Sequence, residues 1–75
     1  MKEKKIRLMA TEDVQEFVNA AEKCEFDIDV LHERVMIDAK SLLGVLGIGL
    51  SKELTVKYWG DNSTFEHVMK KYAVM

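Results

Sequence analysis

The sequence predicts an α+β domain built as one sheet with helices on a single face, and three observations carry that reading. Hydrophobic residues alternate with polar ones in four short segments, the period of strands with one buried side. Two other segments repeat apolar residues at i, i+3, i+4 and i+7, the spacing of a helix with one buried stripe. The 75 residues include no proline and are 48% hydrophobic. That is enough for the thin core of one domain, residues 1–75.

The elements follow in order. Ile6 and Leu8 alternate with Lys5, Arg7 and Met9 and mark a first strand. Thr11 offers a hydroxyl to cap the next helix, with Glu12, Asp13 and Glu16 where the helix dipole favours negative charge. Val14, Phe17, Val18 and Ala21 form its stripe. Phe26, Ile28 and Val30 alternate with Asp27 and Asp29 as a second strand; Val35 and Ile37 alternate with Arg34, Met36 and Asp38 as a third. Only Leu31-His32-Glu33 separates them, so a hairpin is expected, without the Asn-Gly or Asp-Gly that tight turns prefer. Leu54, Val56 and Tyr58 mark a fourth strand, with Thr55, Lys57 and Trp59 on its other face. Asp27 and Asp29 are expected to face Arg34 on one neighbour and Lys57 on another. Ser63-Thr64-Phe65-Glu66 reads as a capping box opening a last helix, whose stripe is Phe65, Val68, Met69 and Tyr72.

Composition excludes several functions. A formal charge of -2, from 13 acidic and 11 basic residues, argues against a general nucleic-acid binder, which needs a basic excess. The cluster Lys2, Lys4, Lys5 and Arg7 reads as a solvated, mobile end and one strand face. Cys24 is the one cysteine, so no disulfide closes within the chain and no cysteine zinc site forms. Its plain reading is a small apolar residue near a helix end. Ile6–Ala10 is too short for a signal-peptide core, and no stretch approaches a membrane span, so a cytoplasmic protein is expected. His32 and His67 are too few for a metal site, and no nucleophile, paired-carboxylate or nucleotide-binding motif stands out. No catalytic residue, metal or cofactor is expected.

The most informative segment is Ser41–Leu50, which looks built to dock onto a partner. Ser41 can cap a helix, but Gly44, Gly47 and Gly49 weaken it and predict a short one ending near Gly47 or Gly49. The segment is also richer in large apolar residues than one buried stripe requires. Val45, Ile48 and Leu50 are expected to face the core, leaving Leu42, Leu43 and Leu46 outside as a contact surface. The alternative is that all six fill a thin core.

The stretch Asp38-Ala39-Lys40-Ser41-Leu42-Leu43-Gly44-Val45-Leu46-Gly47-Ile48-Gly49 resembles the regulatory-serine segment of HPr, the histidine phosphocarrier of the bacterial sugar phosphotransferase system. The likeness extends through Phe17-Val18-Asn19-Ala20-Ala21 and on to the last helix, so it covers most of the chain. It implies an open-faced β-sandwich of order β-α-β-β-α-β-α, with a four-stranded antiparallel sheet in the order 1-4-2-3 under three helices. It also marks Ser41 as a candidate for regulatory phosphorylation, beside the plain reading of Ser41 as a helix cap.

One departure bears on function. The family carries its phosphorylated histidine in Gly-Leu-His-Ala-Arg-Pro-Ala at the start of the first helix. Here the stretch is Leu8-Met9-Ala10-Thr11-Glu12-Asp13-Val14, which puts Ala10 at the histidine and Glu12 at the arginine. Acceptor and cation are both missing, and carboxylates stand where a phosphate would sit.

The resemblance and its departures imply a non-catalytic regulatory or adaptor module. It would bind a protein partner through Lys40, Leu42, Leu43 and Leu46, with Gln15, Asn19 and Glu22 of the first helix as rim. A phosphotransferase-system component or a transcriptional regulator fits as partner; nucleic acid and membrane do not. The family's first-helix docking face tends to be basic, whereas this one is acidic or neutral, so a different partner is open. Two alternatives stay open: a phosphocarrier using another acceptor such as Thr11, and a structural domain whose leucine patch pairs with itself.

Overall fold

The structure is a computed structural model that describes residues 1–74. Its elements are β1 (Lys2–Arg7), α1 (Thr11–Glu22), β2 (Ile28–His32), β3 (Val35–Asp38), α2 (Leu42–Ile48), β4 (Glu53–Tyr58) and α3 (Ser63–Tyr72). The four strands form one antiparallel sheet in the order β1-β4-β2-β3. The expected α+β class and the sheet order implied by the resemblance therefore hold.

Strand alternation sorts the side chains as expected. Ile6, Ile28, Val30, Leu54, Val56 and Tyr58 are buried on the face under the helices. Val14, Phe17, Val18 and Ala21 of α1 and Phe65, Val68 and Met69 of α3 meet them. An aromatic cluster lies at the centre. The Phe65 ring is 5.9 Å from Phe17 and 5.1 Å from Tyr58, the latter edge-on at 87°.

Several local expectations are corrected. β1 begins at Lys2, so the N-terminal lysines are not a mobile end. Lys2 and Lys4 share the helix side of β1 with Ile6 and reach the Glu66 carboxylate at 3.1 and 3.0 Å. Lys5 and Arg7 lie on the open side, at 3.7 and 4.0 Å from Glu53. Thr11 is already helical rather than the cap of α1. The cap position is Ala10, and the Asp13 carboxylate accepts from the Met9 and Ala10 amides, both at 3.1 Å. Asn62, not Ser63, caps α3, its side chain accepting from the Phe65 amide at 3.0 Å. Glu66 is thereby released from the capping box, and it accepts from the Tyr58 hydroxyl at 2.6 Å.

The hairpin is tighter than expected. His32 pairs with Val35, so the turn is Glu33-Arg34 alone, with Glu33 at φ 56°. Two-residue hairpins require positive φ at the first turn position, and glutamate accepts it here at some cost. Arg34 thus leaves the strand and does not face Asp27 or Asp29. Lys57 stands opposite Asp29 in register, but its ammonium turns to Glu3 at 3.7 Å.

Cys24 follows its plain reading. It is 4% exposed, its thiol donates to the Ala20 carbonyl at 3.5 Å, and burial pushes its pKa up. A thiol kept protonated and covered is a poor nucleophile. The folded protein is expected to leave Cys24 unlabelled by an exposed-thiol reagent at neutral pH, with full labelling in denaturant. Rapid labelling of the native state would contradict the packing.

Candidate functional site

Helix α2 sits beside the sheet edge formed by β3, and its glycines set how close it comes. A Cβ at Gly44 would lie 2.6 Å from Ile37 Cγ2, so helix and strand touch there only because Gly44 has no side chain. Ser41 caps the helix as expected, its hydroxyl accepting from the Gly44 amide at 3.1 Å, and the helix ends at Gly49.

The six apolar residues of the segment divide differently from expectation. Val45 and Ile48 are buried, as expected. Leu50 is not a core residue; it is 38% exposed. Leu42 and Leu46 are half-buried and packed against the core, so they do not form an outside patch with Leu43. Leu43 alone stands clear, at 83% exposure. A seven-residue helix flanked by α1 and β3 has little free circumference, and Leu43 points from what remains.

Leu43 borders a groove of about 760 Å³ between α2 and β3. Val35, Ile37, Gly44, Gly47 and Ile48 supply its apolar lining, and His32, Glu33 and Lys52 its polar one. Val35 and Ile37 are the residues missed in reading the sequence as a site. Their alternation marks them as core, but β3 is an edge strand, and Val35 is 47% exposed.

The other expected site residues lie apart. The Lys40 ammonium donates to the Cys24 carbonyl at 3.0 Å, and the Lys40 amide to Asp38 Oδ1 at 2.9 Å. Lys40 therefore ties the end of α1 to the turn before α2. Gln15 and Asn19 are exposed but line a separate concavity between α1 and α3, with Glu12, Glu16, Lys23 and Thr64.

The start of α1 is crowded with carboxylates. Besides capping the helix, Asp13 accepts from the Tyr72 hydroxyl at 3.2 Å. The same hydroxyl donates to Glu16, which also takes Lys71 at 2.9 Å. These bonds, the Tyr72 hydroxyl first and then Lys71, hold the Glu16 carboxyl below its usual range. Burial, helped by Glu16, pushes the Tyr72 phenol up. Thr11 Oγ1 donates to Glu12 at 3.0 Å. Neither histidine is near: His32 ends β2 with Nδ1 at 3.3 Å from the Glu53 carbonyl, and His67 is exposed on α3. Among the described residues no group of three or more His, Cys, Asp or Glu is placed to hold a metal. Among them no helix is long and apolar enough to cross a membrane.

No protein-family model and no curated protein matches the chain. Solved structures do. One is HPr-C-His from Thermoanaerobacter tengcongensis, 22% identical, with a TM-score of 0.76 over 95% of this chain and 93% of that one. Another is a phosphocarrier protein HPr from Bacillus anthracis str. Ames, 18% identical, with a TM-score of 0.73 over 95% of each chain. A sheet ordered 1-4-2-3 under three helices, matched over nearly the whole chain, defines the HPr fold. At these identities the likeness establishes the fold alone.

Proposed function

We propose that this protein is a non-catalytic regulatory or adaptor module related to the phosphotransferase system, which docks a protein partner through Ser41–Leu50. The observation that carries this reading is Leu43, which at 83% is the most exposed large hydrophobic among the described residues and borders an apolar groove. Such a residue favours a partner over water. Because Leu42 and Leu46 are half-buried, the contact surface moves toward β3 and takes in Val35 and Ile37.

The reading against phosphocarrier chemistry rests on the start of α1. Asp13 occupies the Met9 and Ala10 amides, and Glu12 stands beside them. A phosphoryl group there would meet carboxylates, and Lys71, which lines the same concavity as Met9 and Asp13, is already held by Glu16 at 2.9 Å. Incubation with enzyme I and phosphoenolpyruvate is expected to leave the protein unlabelled. Ala10→His is expected to stay unlabelled as well, because the added histidine does not remove Asp13. Label on either protein would restore the carrier reading.

Ser41 is the candidate switch. A phosphate there would add about -1.5 to -2 charges at the start of α2, where the Gly44 amide already donates to the Ser41 oxygen. With Lys40 tied to Cys24, the charge would alter the rim of the groove rather than pair locally. The partner fits a phosphotransferase-system component or a transcriptional regulator.

Leu43→Asp tests the docking. The side chain is nearly free of the fold, so stability is expected to change by less than about 0.5 kcal/mol while partner capture is lost. The same partners captured by native and variant protein would defeat the reading.

A further inference from the structure

The two edges of the sheet are finished differently. At β1 the outer edge carries Lys2, Lys4, Lys5 and Arg7, and the C-terminal segment closes over it, with the Val74 amide donating to the Lys5 carbonyl at 2.9 Å. Ile6 also forms a bridge with Ala73. At β3 the strand Val35-Met36-Ile37-Asp38 has no lysine, proline or bulge, the usual protections of an edge. Met36 is 65% exposed.

Hydrogen-bond parity shows which groups this edge presents. The Ala39 amide donates to the Ile28 carbonyl at 2.9 Å, and the Ser41 amide to the Asp38 carbonyl at 2.9 Å. Residues 35, 37 and 39 therefore turn their backbone groups to β2, and residues 36 and 38 turn theirs away. The Met36 N–H and C=O and the Asp38 N–H point outward, with no bond to another described residue.

We infer that β3 pairs with β3 of a second copy of this chain, antiparallel about a two-fold axis at Met36, to make one continuous eight-stranded sheet. In that register Met36 exchanges both backbone bonds with Met36 of the second copy. Val35 lies opposite Ile37, apolar against apolar. Arg34, in the turn directly before the strand, comes beside Asp38 of the second copy, so each end of the ribbon carries a pair of opposite charges. An isologous interface requires such self-complementarity, and a shift by two residues would lose the Met36 exchange and the charge match together. The surface shares Val35 and Ile37 with the groove described above, but it does not include Leu43 and adds the backbone edge groups and Arg34, Met36 and Asp38.

Sedimentation equilibrium of the native protein over rising concentration is expected to show reversible dimerisation, with far-UV circular dichroism confirming that each variant folds. Met36→Pro removes the outward N–H without breaking the internal ladder and is expected to leave a monomer. R34D and D38R each place like charges opposite one another in the homodimer and are expected to weaken it about tenfold. An equimolar mixture of R34D and D38R restores opposite charges at both ends and is expected to dimerise again. Asp38 also holds the Lys40 amide; if D38R does not fold, Met36→Pro and R34D carry the test. The inference is overturned if native protein remains monomeric to about 1 mM. It is equally overturned if Leu43→Asp dissociates the dimer while Met36→Pro and R34D do not.

Discussion

Phe65→Ala is expected to destabilise the protein by about 3–5 kcal/mol, which for a chain this short approaches the whole of its stability. Phe65 is fully buried, and its ring holds the helix layer to the sheet, lying 5.9 Å from Phe17 of α1 and 5.1 Å from Tyr58 of β4. Removing it opens a cavity lined by two aromatic faces and detaches α3 from the layer it locks. Tyr58 is also stacked on Phe26, at 5.9 Å and 15°, so the loss spreads to the segment before β2. With each 1 kcal/mol worth roughly 4–8 °C at this size, the melting temperature should fall by tens of degrees or the transition vanish. Phe65→Leu, which keeps most of the volume, should lose far less. Urea or thermal unfolding measures both, and an alanine variant within about 1 kcal/mol of native would show that Phe65 is not the keystone described.

The residues that reveal the fold in the sequence are those whose pattern follows from local geometry. Alternation at Leu54, Val56 and Tyr58 and the stripe Phe65, Val68, Met69 report which side of an element is buried, and burial is what each pattern records. Neither reports which strands are neighbours, so the order β1-β4-β2-β3 came from resemblance rather than periodicity. The same gap explains Val35. Its alternation is that of a core residue, and only its place on the edge strand leaves it 47% exposed. Glu66 departs from its sequence pattern for a related reason. A glutamate three residues after a serine fits a local cap, but Lys2 and Lys4, 64 and 62 residues away in sequence, compete for it and win.

The burial of the candidate segment was legible only in part. The surplus of apolar residues in Ser41–Leu50 correctly marks a segment that is not all core, and Ser41 caps α2 as its residue type suggests. The exposed trio failed because α2 is short and hemmed in on two sides, which turns Leu42 and Leu46 inward. Lys40 reads in the sequence as a charge beside a serine, yet its ammonium is held by the Cys24 carbonyl across 16 residues. Long side chains find their partners in three dimensions, and spacing cannot show which.

Glu66 supplies the second large effect, and its sign can be worked out. Burial pushes the carboxyl up, but hydrogen bonds from Tyr58, Lys4 and Lys2 outweigh it and bring Glu66 down to about 2 from its ordinary value of 4.5. A depressed carboxyl favours the folded state wherever it is ionised. The contribution is therefore fully present above about pH 4.5 and is lost as the pH falls toward 2. Its side chain is 23% exposed, so solvent screening trims the effect to about 1–2 kcal/mol. Glu66→Gln is expected to lose that amount at neutral pH and to flatten the acid limb of the stability curve, measured by urea unfolding at stepped pH. The partner group gives an independent reading. Burial, reinforced by the bond to Glu66, pushes the Tyr58 phenol above the usual tyrosine range, and removing the carboxylate takes away the second cause but not the first. Ultraviolet titration should therefore show Tyr58 ionising earlier in Glu66→Gln than in native protein, though still later than a free tyrosine. An unchanged acid limb together with an unchanged Tyr58 titration would mean that Lys2, Lys4 and Tyr58 do not share Glu66 in solution.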